Sequence, residues 1–131
     1  MHTKRQLSDM RQEHEQWQGR LRFYKDEITH FCNHLGRLAG SGVARDEPVA
    51  VKQFEGKFVH EEHQIEAIRN DFKKHETLIR SLDEGVAPEP DEGIRKVHNT
   101  QREKLERFER MFHELRSEFN VFLDRVDKDR R

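Results

Sequence analysis

The chain has 131 residues, with 25 Lys and Arg against 26 Asp and Glu, and the two signs are interspersed along its length. That balance leaves no basic face for counterion-release binding to nucleic acid, and no apolar run approaches the length needed to span a bilayer. Charged residues at 39% against 32% hydrophobic would mean disorder if scattered, but the apolar residues are ordered in three heptad ladders, which excludes that reading.

Thr3 with Gln6 has the form of a capping box and predicts a first helix over about residues 3–38. Along it Leu7, Met10, His14, Trp17, Leu21, Tyr24, Ile28, Phe31, Leu35 and Leu38 recur at 3,4 spacing, one stripe of a helix. Gly40, Ser41 and Gly42 stop it. Asp46 reads as an N-cap, with Glu47 and Pro48 in the first turn of a second helix over about residues 47–83. Its ladder is Val51, Phe54, Phe58, Glu61, Ile65, Ile68, Phe72, His75, Ile79 and Leu82. Gly85 suits a left-handed C-cap, Pro88 and Pro90 break the chain, and Asp91 can cap a third helix over about residues 92–127. Ile94, His98, Gln101, Leu105, Phe108, Phe112, Leu115, Phe119, Phe122 and Val126 form the third ladder, and the residues beyond are expected to fray.

Of the 30 ladder positions 25 are apolar, so each helix needs partners to bury its stripe. Short connections make neighbours antiparallel, and the fold class expected is all-α: an up-down-up, coiled-coil-like three-helix bundle spanning 1–131 as a single domain. Pairing Leu38 with Val51 matches every seam residue of the first helix to one of the second at a constant index sum of 89, including His14 with His75. For the second and third helices, sums of 173 and 180 both keep seam against seam. The former is favoured because it places His98 beside His75 and Gln101 near Trp17, whose buried indole N–H needs an acceptor. Three heptad helices with Trp17 in the first resemble, in outline, a single spectrin-type repeat, although such repeats normally stand in tandem and this chain holds one.

Nine histidines invite the one chemical hypothesis. His14, His75 and His98 would converge in the seam as three neutral imidazoles, a ligand set suited to zinc or another divalent transition metal. The alternative is a polar layer that fixes register. No seam carboxylate stands in that layer to orient a ligating ring. A second group, Glu27, His30 and His34 with His60 and His63 at nearly the facing level, reads as solvated histidines. The Glu-x-x-His spacing of ferritin-like di-iron sites occurs only once, at Glu27 and His30, and no histidine is followed four residues later by a carboxylate, as hemerythrin-like bundles require. Glu61, an acid in the seam opposite Ile28, is expected to lean toward solvent, a flanking Arg or the Tyr24 hydroxyl. Cys32 is the only cysteine and reads as a structural thiol.

With no phosphate loop, nucleophile elbow or triad, the function expected is a non-enzymatic protein-interaction or scaffolding module, with Phe23, Val59 and Val121 at outward positions as partner anchors. Its partner would be another protein or a second copy of the chain, without nucleic acid or membrane. The alternative is a metal sensor or store. The N-terminal residues lack the apolar region of a signal peptide, so the cytoplasm is the expected location.

Overall fold

The computed structural model describes residues 4–42, 46–83 and 92–129. They form three long helices, α1 (Lys4–Ala39), α2 (Pro48–Asp83) and α3 (Glu92–Asp129), packed as an up-down-up bundle. At 36, 36 and 38 residues, each is on the order of 55 Å long.

The starts and stops follow local chemistry. The helical ladder of α1 ends where Ser41 donates both its backbone N–H (3.0 Å) and its Oγ–H (2.7 Å) to the carbonyl of Leu38. The α2 cap lies one residue later than expected. Glu47, not Asp46, accepts the first helical hydrogen bond, from Val51 N–H at 3.2 Å. Pro48 therefore occupies the first helical position, where its missing N–H costs nothing. α3 runs through Asp129, slightly past the expected end. Thr3, Gly85, Pro88, Pro90 and Asp91 lie outside the described residues.

The heptad stripes are the core. Of the twenty-nine ladder side chains that the structure describes, twenty-six are buried and Phe31, Phe54 and Ile94 are half-buried, and no buried side chain among the described residues lies off the ladders. The core is rich in rings: Phe119 meets Phe31, Phe54 and Phe58 at centroid distances of 5.1 to 5.3 Å, mostly edge to face. That geometry adds to what area burial alone supplies.

Both index rules hold. Phe31 with Phe58, Trp17 with Phe72 and His14 with His75 touch at the sum of 89. Phe54 with Phe119 and His75 with His98 touch at 173. What the stripes did not announce is a second set of ladders along their edges. Between the parallel helices α1 and α3, Glu13 pairs with Arg102, Arg20 with Glu109 and Glu27 with Arg116, each 89 residues apart and each one heptad from the next. Between α2 and α3, Lys57 pairs with Glu118 and Asp71 with Lys104, both at an index sum of 175. Sliding α3 by one heptad one way would set Glu13 against Glu109 and Arg20 against Arg116. The other slip sets Arg20 against Arg102 and Glu27 against Glu109. Each exposed pair is worth roughly 0.2–1 kcal/mol, but the alternation of sign penalises both slips at once.

Core truncations test the seam. Phe58→Ala and Phe108→Ala should each cost about 3–5 kcal/mol in chemical denaturation, whereas Phe23→Ala, at a ring 56% exposed, should cost less than about 1 kcal/mol. Equal losses at the three positions would contradict the observed core.

Candidate functional site

One layer of the core is polar. His14, His75, His98 and Gln101 are all at least nine-tenths buried, and together they separate a large apolar cluster from a small terminal one made of Leu7, Met10 and Ile79 with Ile94 packed on it. Trp17 roofs the layer on the large-cluster side. His98 stacks on its indole at 4.6 Å, Phe72 lies 5.4 Å away, and the Arg102 guanidinium sits 5.8 Å from its centre.

The hydrogen bonds assign protons. Gln101 donates Nε2–H to the carbonyl of Asp71 at 3.0 Å, which fixes the amide and turns its Oε1 toward His14 Nε2 at 3.3 Å. His14 Nδ1 faces the Glu76 carboxylate at 3.1 Å. Each ring nitrogen of His14 thus faces an oxygen, one from Glu76 and one from Gln101. The other two rings form a line. His98 Nε2 lies 3.4 Å from Glu13 Oε1, somewhat off the hydrogen-bond direction, and His98 Nδ1 is 3.1 Å from His75 Nε2. A proton on His98 Nε2 suits the carboxylate; His75 Nε2–H then donates to the bare His98 Nδ1, leaving His75 Nδ1 as a buried acceptor without a hydrogen-bond partner.

These environments move the titrations. Burial, reinforced by His14 and His98, pushes His75 down to about 4. Burial also lowers His98, against the opposing pull of Glu13. Glu13 itself is held below its usual value, because Arg102 and His98 outweigh its partial burial.

The structure places His14, His75 and His98 in one layer, as the preferred register requires. The layer does contain orienting carboxylates, Glu76 and Glu13, which reach in from edge positions instead of standing in the seam. To complete a three-imidazole site, His14 would have to free one ring nitrogen, either from Gln101 or from Glu76, and could keep the other contact. Among the described residues no group of three or more His, Cys, Asp and Glu side chains is placed to hold a metal ion. Gln101 sits in the expected layer, but both ends of its amide serve His14 and Asp71.

The remaining candidates are dispersed. Glu27 is engaged by Arg116 at 3.1 Å, His34 sets its edge toward Phe119, and His30, His60 and His63 are exposed. Phe23, Val59 and Val121 are exposed on three different helices. Tyr24, named as a partner for Glu61, instead donates its hydroxyl to Glu109, the carboxylate that also receives Arg20. Burial and that carboxylate push Tyr24 up to about 12. Glu61 does not lean into solvent: it is 7% exposed, and its Oε2 has no hydrogen-bond partner. Cys32 is half-buried, and its thiol is raised by burial and then by Glu62 and Glu55.

The surface is grooved chiefly between α2 and α3. Three clefts of about 560, 410 and 480 Å³ follow one another along that face, sharing His60, Glu61 and Met111 at one junction and Asp71 and Lys104 at the next. Leu78, Val97 and Met111, 37 to 56% exposed, form their apolar lips. No described helix is long and apolar enough to cross a membrane. No protein-family model, curated protein or solved structure matches the chain.

The lowered histidines give a sign to the pH dependence. The unfolded chain takes up protons near pH 6.5, while folded His75 resists until about 4, so stability should fall with acidification across that window. The limiting slope is roughly 1.4 kcal/mol per pH unit for each such histidine. Glu61, raised by burial, works in the opposite direction as it takes up its proton. Denaturation measured from pH 7 to 4 should show a clearly shallower decline in His75→Leu, and an unchanged slope would contradict the assignment. Saturating zinc should move the melting temperature by less than about 2 °C. A larger rise that disappears in His75→Ala would instead establish a metal site.

Proposed function

We propose that this protein is a non-enzymatic interaction module whose docking surface is the α2/α3 face. The observation that carries the reading is the gathering of exposed apolar side chains along one groove. Leu78, Val97 and Met111 all line its clefts, whereas Phe23, Val59 and Val121, the anchors expected from the sequence, line none of them. Isolated exposed apolar residues are ordinary, but a row of them flanking a groove is a contact surface.

The charge around the row describes the partner. Leu78 and Val97 face each other across the α2/α3 edge at the index sum of 175, and Lys74 and Lys96 line the same cleft. An amphipathic segment with apolar anchors and acidic flanks complements that end, in the manner of a helix laid in a groove. The ion pairs Lys57–Glu118 and Asp71–Lys104 cross the groove at exposed positions. Such pairs are individually weak, about 0–1 kcal/mol, and yield to a partner that buries the lips. The polar layer supports the module by holding α2 and α3 in one register, which keeps the lips aligned. The raised thiol of Cys32 and its partial burial favour a structural over a nucleophilic role.

Photo-crosslinking in cells tests this face directly. A benzophenone residue at position 97 should yield a discrete adduct with another protein or a second copy of the chain, and the same residue at position 121 should not. Adducts at 121 alone, or at neither site, would overturn the reading.

A further inference from the structure

The middle of the α2/α3 groove holds a carboxylate whose surroundings do not explain it. Glu61 occupies a core position, yet it lines the two adjoining clefts of about 560 and 410 Å³. Two of the cations that line these clefts are engaged elsewhere. Lys57, one turn earlier on the same helix, reaches across to Glu118 at 3.3 Å, and Lys104 reaches Asp71 at 3.5 Å. His60 lies beside Glu61 at the rim. No salt bridge or side-chain hydrogen bond to Glu61 occurs among the described residues, and Oε2 is a buried acceptor left over.

Burying a carboxylate without a partner costs several kcal/mol, so a core position occupied by Glu is a liability unless something supplies the opposite charge. The apolar part of the lining is Ile68, Phe108 and Leu115 behind and the half-exposed Met111 at the lip, while Lys52, Lys57, Lys104 and Arg107 stand among the charged residues that line the same clefts. Glu114 adds a second acid at the mouth. The two ion pairs that cross the groove bracket this segment, at positions 57 and 71 of α2, a span of about 20 Å at 1.5 Å per residue. A groove of that length, with an apolar strip along it and one buried acid, matches a small hydrophobic cation.

We propose that the groove segment around Glu61 is a binding site for an ammonium group carried on an alkyl or aryl body, with Glu61 receiving the charge and Met111, Leu115 and Phe108 holding the chain. The flexible thioether of Met111 adapts to bodies of different shape. Desolvation, which raises the Glu61 carboxyl, also favours pairing with an incoming cation once the cleft is filled. The site stands apart from the docking of a protein on the lips: crosslinking at position 97 can fail while this site binds, and the reverse.

Calorimetric titration with n-octylammonium chloride below its micellar range, at pH 7, tests the assignment. The wild-type chain should bind one equivalent saturably. Octan-1-ol and octanoate should bind at least about tenfold more weakly, a difference of roughly 1.4 kcal/mol. E61Q, which removes a buried unpartnered charge and so should retain the native melting temperature, should lose the same factor. E114Q should stay within about threefold of wild type, as a rim acid screened by solvent. Absence of saturable binding, equal binding of octan-1-ol, or undiminished binding to E61Q would each overturn the site. So would binding that appears only in R107Q, because Arg107, which lines the same cleft, would then be the natural partner of Glu61.

Discussion

A heptad stripe fixes which face of a helix is buried but not how far it slides, because a shift of seven residues returns apolar against apolar. Everything else in this bundle depends on how that degeneracy is removed. Two devices do it. The layer of His14, His75, His98 and Gln101 has donors and acceptors that match only when the three helices stand at one height. The edge ladder Glu13–Arg102, Arg20–Glu109 and Glu27–Arg116 alternates in sign, so either neighbouring register meets like charges. The layer acts in low dielectric, where an unmatched polar group is costly; the ladder acts near the surface, where it is worth little per pair but adds over its rungs.

Specificity of this kind has a structural cost. The polar layer cuts the core, leaving Leu7, Met10, Ile79 and Ile94 as a small cluster beyond it. That end has few apolar neighbours and should open before the phenylalanine-rich end, where Phe31, Phe54, Phe58, Phe119 and Phe122 form one continuous set of ring contacts. Of the three seam atoms left without hydrogen-bond partners among the described residues, His75 Nδ1 and Glu61 Oε2 belong to residues that line the α2/α3 groove, and His98 Nε2 faces Glu13 on the α1/α3 side. Along the α1/α3 edge Tyr24, Glu109, His113 and Arg116 form a connected polar string.

The fold was legible because period and burial are the same fact in a helical bundle: each apolar ladder residue had only the core to enter. The preferred register was legible for a similar reason, since a sum of 173 gathers three polar seam residues that would otherwise be stranded among apolar ones. The carboxylates of that layer were not, because attention to seam positions passes over Glu13 and Glu76, whose side chains reach inward from the edge. A search for opposite charges at a constant separation of 89 would have found Glu13 with Arg102 and excluded the alternative register on charge alone. The burial of Glu61 was not legible either, because an acid in a stripe suggests a solvent-seeking side chain and the Tyr24 hydroxyl is taken by Glu109. Heptad position places Phe23, Val59 and Val121 outward, but the lips of a groove depend on which helices diverge, and that is a property of packing.

Disulfide trapping of α2 against α3 tests the register claim most directly. In a Cys32→Ser background, Cys pairs at positions 78 and 97, which face each other at the index sum of 175, should close rapidly under mild oxidation, whereas pairs at 78 and 104 should not. When His14, His75, His98 and Gln101 are all replaced by Leu, the account predicts that the 78–104 pair begins to close, because the apolar stripes alone allow the helices to slide. Trapping confined to 78–97 in that quadruple variant would contradict the central role of the polar layer and leave register to the charge ladders alone.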